Sequence, residues 1–302
     1  MLDGGLATEL QIRGQDLSDH LWSARLLADD PAAIVAAHRA FYAAGAAVAT
    51  TASYQASFAG FAARGLAPAE VSALLRRSVV LAQTARADLA SDGRDRWVAA
   101  SVGPYGAALA DGSEYRGRYG LSVAELAAWH RPRLEVLAAA GPDLLALETI
   151  PDLDEAHALV TALGGLDVPA WLTYSISGTR TRAGQPLTEA FAVLADAPGI
   201  VAVGVNCCAP ADVAPAIALA RALTGKPVLV YPNSGQGWDG QHWTGPRTYS
   251  AELAAGWIAD GACAVGGCCQ VTPADIAAVA AVLGTVTVPA RARLAVRARG
   301  RG

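Results

Sequence analysis

The sequence predicts an α/β fold, a (β/α)8 TIM barrel formed by a single domain. Eight short apolar runs alternate with helical patterns from one end of the chain to the other. The runs are apolar throughout rather than alternating, which is typical of parallel strands covered on both faces. Because no linker or change of composition interrupts them, we expect one barrel over residues 1–285, followed by a flexible Arg-rich tail over 286–302.

The predicted elements follow one another in strict strand–helix order. The strands are expected at 1–5, 46–54, 96–104, 143–151, 169–177, 199–208, 226–235 and 263–269. The helices are expected at about 30–45, 68–89, from 122 onward, 152–163, 187–196, 211–223, 250–259 and 272–283. Asp30 followed by Pro31 is a good helix start, and Ser122 with Glu125 forms a capping box. Pro132 is expected to kink or restart its helix.

A doubly wound sheet could also contain eight parallel strands. Such a sheet would normally carry a G-x-G-x-x-G turn after its first strand. The corresponding stretch, "DGGLATEL", lacks that pattern, so the barrel is favoured.

Composition excludes several classes of function. The chain has 53% hydrophobic and 17% charged residues, as in a compact globular protein. A net charge of −4 argues against a nucleic-acid partner. No apolar run is long enough for a membrane span, and no signal peptide is visible. Five cysteines without an export signal are not a disulfide framework, so we expect a cytoplasmic protein with metal-binding or catalytic thiols.

Polar residues gather at the carboxyl ends of the predicted strands, where barrel enzymes place their active sites. These residues include Asp3, Thr50, Thr51, Ser53, Tyr54, Ser101, Glu148, Asn206, Asn233, Ser234 and four of the five cysteines.

The cysteines at this rim indicate a metal centre. Cys207 ends strand six, and Cys268 and Cys269 end strand eight, which neighbours strand six across strand seven. Three thiolates that leave one position open are typical of a catalytic zinc site. Cys207 is preferred to Cys208 because it shares the strand parity of residues 201, 203 and 205, if that face lines the barrel. A single buried cysteine is more often a small apolar residue, but four at one rim favour a site.

The two isolated acids suggest a cationic ligand. Glu148 follows the apolar run "LLAL", where an unpaired carboxylate is costly to bury. It either pairs with an arginine or awaits a cation, whereas Asp3 in "DGG" is also consistent with an ordinary turn. Glycosidase-type chemistry by this acid pair stays open, although it would leave the cysteines unexplained.

Seven motifs carry a resemblance to a known family. They are "DGGLATEL", "SYQASFAGF", "SVGPYGAALADGSEYRG", "LALETIP", "GVNCCAP", "YPNSGQGWD" and "GGCC". Together they resemble the zinc-dependent homocysteine S-methyltransferases, nearest to the branch that uses S-methylmethionine or S-adenosylmethionine. The resemblance runs to about residue 283. Two departures are the short start before "LDGG" and Cys208, where relatives often carry another small or polar residue.

The resemblance implies a zinc cofactor held by Cys207, Cys268 and Cys269. It also implies that Asp3 and Glu148 meet the amino group of L-homocysteine, the methyl acceptor. Zinc would make the homocysteine thiol a nucleophile, which attacks the methyl group of a sulfonium donor and gives methionine.

The binding site of the sulfonium methyl donor is predicted from aromatic residues, because aromatic faces attract cations. The candidates are Trp22, Tyr54, Tyr105 and Trp238, although ordinary packing explains each of them equally well. Ser53, Asn233 and Ser234 are candidates for hydrogen bonds to an amino-acid substrate.

Two alternatives remain open from the sequence. One is methyl transfer to another thiol or a selenol, or from another donor such as betaine or a folate. The other is a non-catalytic zinc- or thiol-binding protein, such as a metal store or redox sensor. We expect a monomer, because no dimerisation arm is visible.

Overall fold

The computed structural model describes residues 1–18, 21–238 and 242–285. The predicted Arg-rich tail over 286–302 lies outside the described residues. Within this part of the chain, no helix is long and apolar enough to cross a membrane.

A parallel sheet of seven strands forms the centre of the fold, and its strands stand beside one another in sequence order. They are β1 (Val48–Thr50), β2 (Trp97–Val102), β3 (Leu144–Ile150), β4 (Ala170–Tyr174), β5 (Ile200–Asn206), β6 (Val228–Tyr231) and β7 (Ala264–Val265). Every residue of β3 and β4 is buried, as their uninterrupted apolar character predicts. Seven of the eight predicted strands are thus confirmed.

The predicted first strand is reduced to a single bridge. Leu2 pairs in parallel with Val48 of β1, and its N–H donates to the carbonyl of Val265 in β7 over 2.8 Å. The N–H of Gly267 donates in turn to the carbonyl of Asp3 over 3.0 Å. Leu2 and Asp3 therefore connect the first and last strands of the sheet.

Helices fill the connections between the strands. They are α1 (Leu6–Ile12), α2 (Leu26–Asp29), α3 (Pro31–Ala43), α4 (Phe58–Ala62), α5 (Pro68–Asp88), α6 (Tyr105–Leu109), α7 (Val123–Ala139), α8 (Leu153–Leu163), α9 (Leu187–Ala195), α10 (Val213–Thr224), α11 (Ala251–Ala259) and α12 (Pro273–Thr285). The sequence analysis missed α1, α2, α4 and α6, which are short helices within the connections.

The predicted helix signals are present in the structure. The side chain of Asp30 accepts a hydrogen bond from the first turn of α3, and Ser122 and Glu125 form the capping box of α7. A restart at Pro132 does not occur, because α7 continues through the proline as one helix. Leu134 beyond it is fully buried, so packing offsets the hydrogen bond that proline removes.

The two faces of the sheet belong to different clusters of buried residues. Val203 and Val205 of β5 belong to the larger cluster, which also contains the apolar faces of the helices. Ala202 belongs to the smaller cluster, to which each of the strands β2 to β7 contributes. The smaller cluster contains Leu2, Ala99, Leu144, Ala146, Trp171, Ala202, Leu229, Tyr231 and Ala264, with Val48 packed against it.

Candidate metal centre and substrate site

Three sulfur atoms converge at the carboxyl ends of β5 and β7. The Sγ of Cys207 lies 3.2 Å from that of Cys268 and 3.8 Å from that of Cys269, and the latter two are 4.0 Å apart. Tetrahedral zinc with Zn–S bonds of about 2.3 Å places its sulfur ligands about 3.8 Å apart. The observed separations bracket that value, and all three residues are free thiols. The donor set and its spacing therefore fit one metal ion.

The backbone of Cys207 directs its side chain into this cluster. Its φ is +51°, which is uncommon for a residue other than glycine. The choice of Cys207 from the sequence assumed that residues 201, 203 and 205 face the interior of the barrel. That assumption is wrong, because Val203 and Val205 pack in the larger cluster and Val201 is 43% exposed. The change of backbone direction directly after β5 ends the strand alternation. The residue preferred from the sequence is thus the one in the cluster, but for a different reason.

Asn206, the last residue of β5, fixes the strand end that carries Cys207. Its Oδ1 accepts hydrogen bonds from the N–H of Thr149 and the hydroxyl of Thr173, both over 2.7 Å. Its Nδ2 donates to the hydroxyl of Thr149 over 2.8 Å. Thr149 also has a positive φ, of 62°. The buried amide therefore ties the ends of β3, β4 and β5 together and holds two unusual backbone conformations.

The two glycines before Cys268 are required by close approach of other parts of the chain. A β-carbon on Gly266 would lie 2.6 Å from the carbonyl oxygen of Asp3. A β-carbon on Gly267 would lie 2.2 Å from the side chain of Val271. The glycine pair therefore admits the bridge at the chain start and the segment that leads to α12.

Hydrogen bonds to the loop after β6 hold the cysteine pair. The N–H of Cys268 donates to the carbonyl of Pro232 over 2.8 Å, and the N–H of Cys269 donates to Oδ1 of Asn233 over 3.1 Å. Asn233 is a candidate for a hydrogen bond to the substrate, and in the structure its Oδ1 orients a cysteine. Cys208 is fully buried in the larger core cluster and does not join the three sulfurs.

The cysteine cluster favours a negative charge. The thiols of Cys268 and Cys269 hydrogen-bond to Cys207 and hold the pKa of that thiol well below its usual range. The same sharing with Cys207 raises the pKa values of Cys268 and Cys269. The three side chains therefore share a thiolate that suits a cation.

The two predicted acids are buried near this cluster. The N–H and hydroxyl of Thr50 donate to the two oxygens of Asp3 over 2.7 and 2.9 Å, and the hydroxyl of Ser101 donates to Glu148. Burial raises the pKa of each acid to about 7. The charge of Glu148 contributes to the raised pKa of Asp3, and the charge of Cys207 contributes to that of Glu148. Repulsion of this kind is relieved by a bound cation.

Neither acid has an arginine partner among the ion pairs of the described residues. The arginine pairing that the sequence left open for Glu148 is therefore not found among the described residues.

Ser53 serves the fold at this rim. Its hydroxyl donates to the carbonyl of Ser101 and lies next to the hydroxyl of Thr51, both over 2.7 Å. The side chain is 1% exposed. Its hydrogen bonds join the ends of β1 and β2.

Trp22 and Tyr54 form an aromatic pair beside the site. Their ring centroids lie 6.3 Å apart in an edge-to-face arrangement. Burial and then the charge of Cys207 raise the pKa of Tyr54. A β-carbon on Gly103 would lie 2.7 Å from the Tyr54 ring, which explains the glycine after β2.

The other two aromatic candidates lie in different clusters. The ring of Tyr105 packs against Tyr119 and Trp129 at centroid distances of 5.2 and 5.0 Å. Trp238 is 55% exposed and packs against Trp243 at 5.3 Å.

Two residues at the site were not predicted from the sequence. The hydroxyl of Tyr115 lies 3.4 Å from the Sγ of Cys207. The guanidinium of Arg182 lies 5.5 Å from the centroid of the Tyr115 ring. The motif "DGSEYRG" was a signal for Tyr115, but it lies in a long loop rather than at a strand end.

Comparison with known proteins gives a consistent result. The family model for homocysteine S-methyltransferase matches residues 1–283. A homocysteine S-methyltransferase of Escherichia coli is 46% identical over 93% of this chain and 94% of its own length. Homocysteine S-methyltransferase YbgG of Bacillus subtilis is 43% identical over 93% of both chains.

A solved structure also resembles the fold of this chain. It is the metallated form of the homocysteine methyltransferase MmuM from Escherichia coli, with a TM-score of 0.85 and 46% identity over 93% of this chain and 95% of that one. The chain belongs to the homocysteine S-methyltransferase family.

Proposed function

We propose that the protein transfers a methyl group from a sulfonium donor, S-methylmethionine or S-adenosylmethionine, to L-homocysteine. The observation that carries this proposal is the cluster of three free thiols within 4.0 Å of one another, beside two buried acids. In the reaction the homocysteine sulfur forms a bond to the methyl carbon as the donor sulfur–methyl bond breaks. The thiol proton is released, and the products are methionine and a neutral thioether.

The ion that we assign to the cluster is zinc, with Cys207, Cys268 and Cys269 as its protein ligands. All three donors are soft thiolates, which favour zinc over hard cations such as magnesium or calcium. When bound, the metal supplies deprotonation of the substrate thiol, whose pKa of about 8.5 otherwise leaves little thiolate at neutral pH.

Asp3 and Glu148 bind the ammonium group of homocysteine in this proposal. Each has a pKa raised by burial to about 7, so an incoming cation stabilises the charged form of both. Thr50 and Ser101 keep the acceptor oxygens oriented. Fixing the substrate at its amino end leaves its thiol free to reach the cysteine cluster.

The donor side is assigned to Trp22 and Tyr54. Their edge-to-face packing holds aromatic surface near the sulfur cluster, where a sulfonium is attracted by the ring faces.

We also infer a closed eight-stranded barrel. The hydrogen bond from Leu2 to Val265 and the bridge from Leu2 to Val48 support closure by a first strand of minimal length. Closure brings Asp3 to the same rim as the cysteines.

The test is an assay of the purified protein with homocysteine and each of four donors: S-methylmethionine, S-adenosylmethionine, betaine and a methylated folate. Methionine from a sulfonium donor is expected. Product from betaine or the folate alone would refute the donor assignment. No methyl transfer by metal-replete protein would refute the function and favour a metal store or thiol sensor.

A further inference from the structure

Arg182 is held at the rim of the site by the segment that follows β4. A short antiparallel hairpin over residues 176–181 leaves the end of this strand and returns to it. The N–H of Arg182 then donates to the carbonyl of Ser175 over 3.1 Å, and the N–H of Ala183 donates to the carbonyl of Pro151 over 2.9 Å. The backbone that carries the guanidinium is therefore fixed to the carboxyl ends of β3 and β4.

Two contacts orient the side chain of Arg182. Its Nε donates to the hydroxyl of Ser175 over 3.3 Å, and that hydroxyl donates in turn to the carbonyl of Cys207 over 3.2 Å. The guanidinium also lies 5.5 Å from the centroid of the Tyr115 ring, whose hydroxyl is 3.4 Å from the Sγ of Cys207. Both neighbours of Arg182 thus contact Cys207 directly, which places the guanidinium close to the sulfur cluster.

The two terminal nitrogens of Arg182 are free to bind a ligand. Over residues 1–18, 21–238 and 242–285 they donate no hydrogen bond to the protein, and no acid forms an ion pair with them. They are also not among the buried atoms that lack a partner, so they reach solvent. By contrast, Arg180 of the same hairpin donates to the carbonyl of Gly184 over 2.7 Å. A free guanidinium fork matches the two oxygens of a carboxylate.

Tyr115 lies on the solvent side of the site. It is 37% exposed, although its hydroxyl contacts Cys207, which is 3% exposed. Asp3 and Glu148, assigned above to the ammonium group of homocysteine, are only 4% and 7% exposed. In the proposed reaction homocysteine therefore occupies the deeper part of the site. The donor then approaches its thiol from the side of Tyr115, where Arg182 lies.

We propose that Arg182 binds the α-carboxylate of the methyl donor, an inference that rests on the methyl transfer proposed above. Both S-methylmethionine and S-adenosylmethionine carry this carboxylate in addition to the sulfonium. The acids and the cysteine thiolate of the site repel a carboxylate, whereas the guanidinium attracts it. A donor held by its carboxylate at Arg182 can direct its sulfonium end to the sulfur cluster and to the homocysteine thiol.

This contact acts on donor binding rather than on the chemical step. The carboxylate lies several bonds from the migrating methyl group and keeps its charge throughout the reaction. Arg182 therefore stabilises the bound donor and the transition state equally, and its loss should raise the donor KM without lowering the kcat. The protein should accordingly prefer sulfonium amino acids to sulfonium ions that have no carboxylate.

The experiment compares Arg182→Gln with wild type as zinc-loaded protein that forms methionine from S-methylmethionine and homocysteine. We expect the KM for S-methylmethionine to rise about tenfold to a hundredfold, as for loss of one contact between charged groups. The kcat, the KM for homocysteine and the zinc content should stay within about twofold of wild type, since the substitution leaves their groups in place.

The carboxamide of S-methylmethionine isolates the contact, because it keeps the sulfonium and the ammonium group but has no carboxylate charge. Measured as a competitor of S-methylmethionine, it should bind the wild type about as weakly as S-methylmethionine binds Arg182→Gln. The substitution should not weaken the carboxamide further.

Two further variants complete the design. Arg180→Gln removes the neighbouring exposed arginine, which bonds within its own segment, and should leave every constant unchanged. Arg182→Lys keeps the charge but not the planar fork and should give an intermediate donor KM. It also serves as the test should the glutamine variant lose zinc or fail to fold.

An unchanged donor KM in Arg182→Gln, with active wild-type protein, would overturn the role of Arg182. A rise in the KM for homocysteine alone would also overturn it, because the arginine would then bind the acceptor. Equal weakening of S-methylmethionine and its carboxamide would exclude the carboxylate as the bound group. Absence of methionine formation by the wild type would instead refute the proposed function itself.

Discussion

Replacement of Glu148 by glutamine tests the charge balance of the substrate site. Glutamine retains an oxygen that accepts from Ser101 but carries no charge. Burial raises the pKa of Glu148 from 4.5 to about 7. At about 1.4 kcal/mol per pH unit, this shift corresponds to about 3 kcal/mol against the charged form in the folded state.

The sign of the effect on stability follows from this shift. The folded state keeps the proton of Glu148 up to about pH 7, whereas the unfolded chain loses it near pH 4.5. The contribution of Glu148 to wild-type stability is therefore fully present below pH 4.5 and is lost as the pH rises to about 7. We expect Glu148→Gln to match wild type near pH 4.5 and to be more stable by up to about 3 kcal/mol at pH 8.

The assay is urea unfolding of both proteins between pH 4.5 and 8, with chelator and reductant present so that metal binding does not contribute. Glu189→Gln, an exposed change on α9, is the control. A difference between Glu148→Gln and wild type that does not vary with pH would refute the reasoning.

The same variant should lose substrate affinity although it gains stability. Binding of the homocysteine ammonium relieves the cost of burying the charge, so its loss should raise the KM for homocysteine by up to about a hundredfold. The donor KM should remain unchanged. An unchanged homocysteine KM would remove Glu148 from the substrate site.

Three other substitutions test the supporting structure. Cys268→Ala should lower bound zinc from about one per chain to well under one while circular dichroism stays unchanged; full zinc occupancy would contradict the ligand assignment. Gly267→Ala places a carbon 2.2 Å from Val271 and should lower the free energy of unfolding by about 1–3 kcal/mol, whereas an unchanged urea midpoint would show that the segment adapts freely. Asn206→Ala removes three buried hydrogen bonds to Thr149 and Thr173. At about 1 kcal/mol for each bond, it should lower the free energy of unfolding by about 3 kcal/mol. A decrease below about 1 kcal/mol would mean that water replaces these bonds.

Much of the fold could be predicted because the central strands are uniformly apolar. Such runs are typical of parallel strands, and the position of each run along the chain set the order of β1 to β7. The first strand was harder, since a single bridged residue, Leu2, has no periodicity to detect. Short helices such as α4 and α6 escaped prediction for the same reason.

The candidate site was predictable where its residues lie in or near the carboxyl ends of strands. Glu148 lies within β3, Cys207 follows β5 directly, and Cys268 lies three residues after β7. Residues that reach the site from loops carry no equivalent signal: Tyr115 meets Cys207 across 92 positions of sequence. The inward direction of Cys207 also depends on a backbone angle, which strand parity does not reveal.

The most direct test of the account is X-ray absorption at the zinc edge, together with metal analysis, on protein purified without chelator. We expect about one zinc per chain with three sulfur neighbours at about 2.3 Å. A shell made only of nitrogen and oxygen, or full methyl transfer by protein with well under one metal ion per chain, would contradict it.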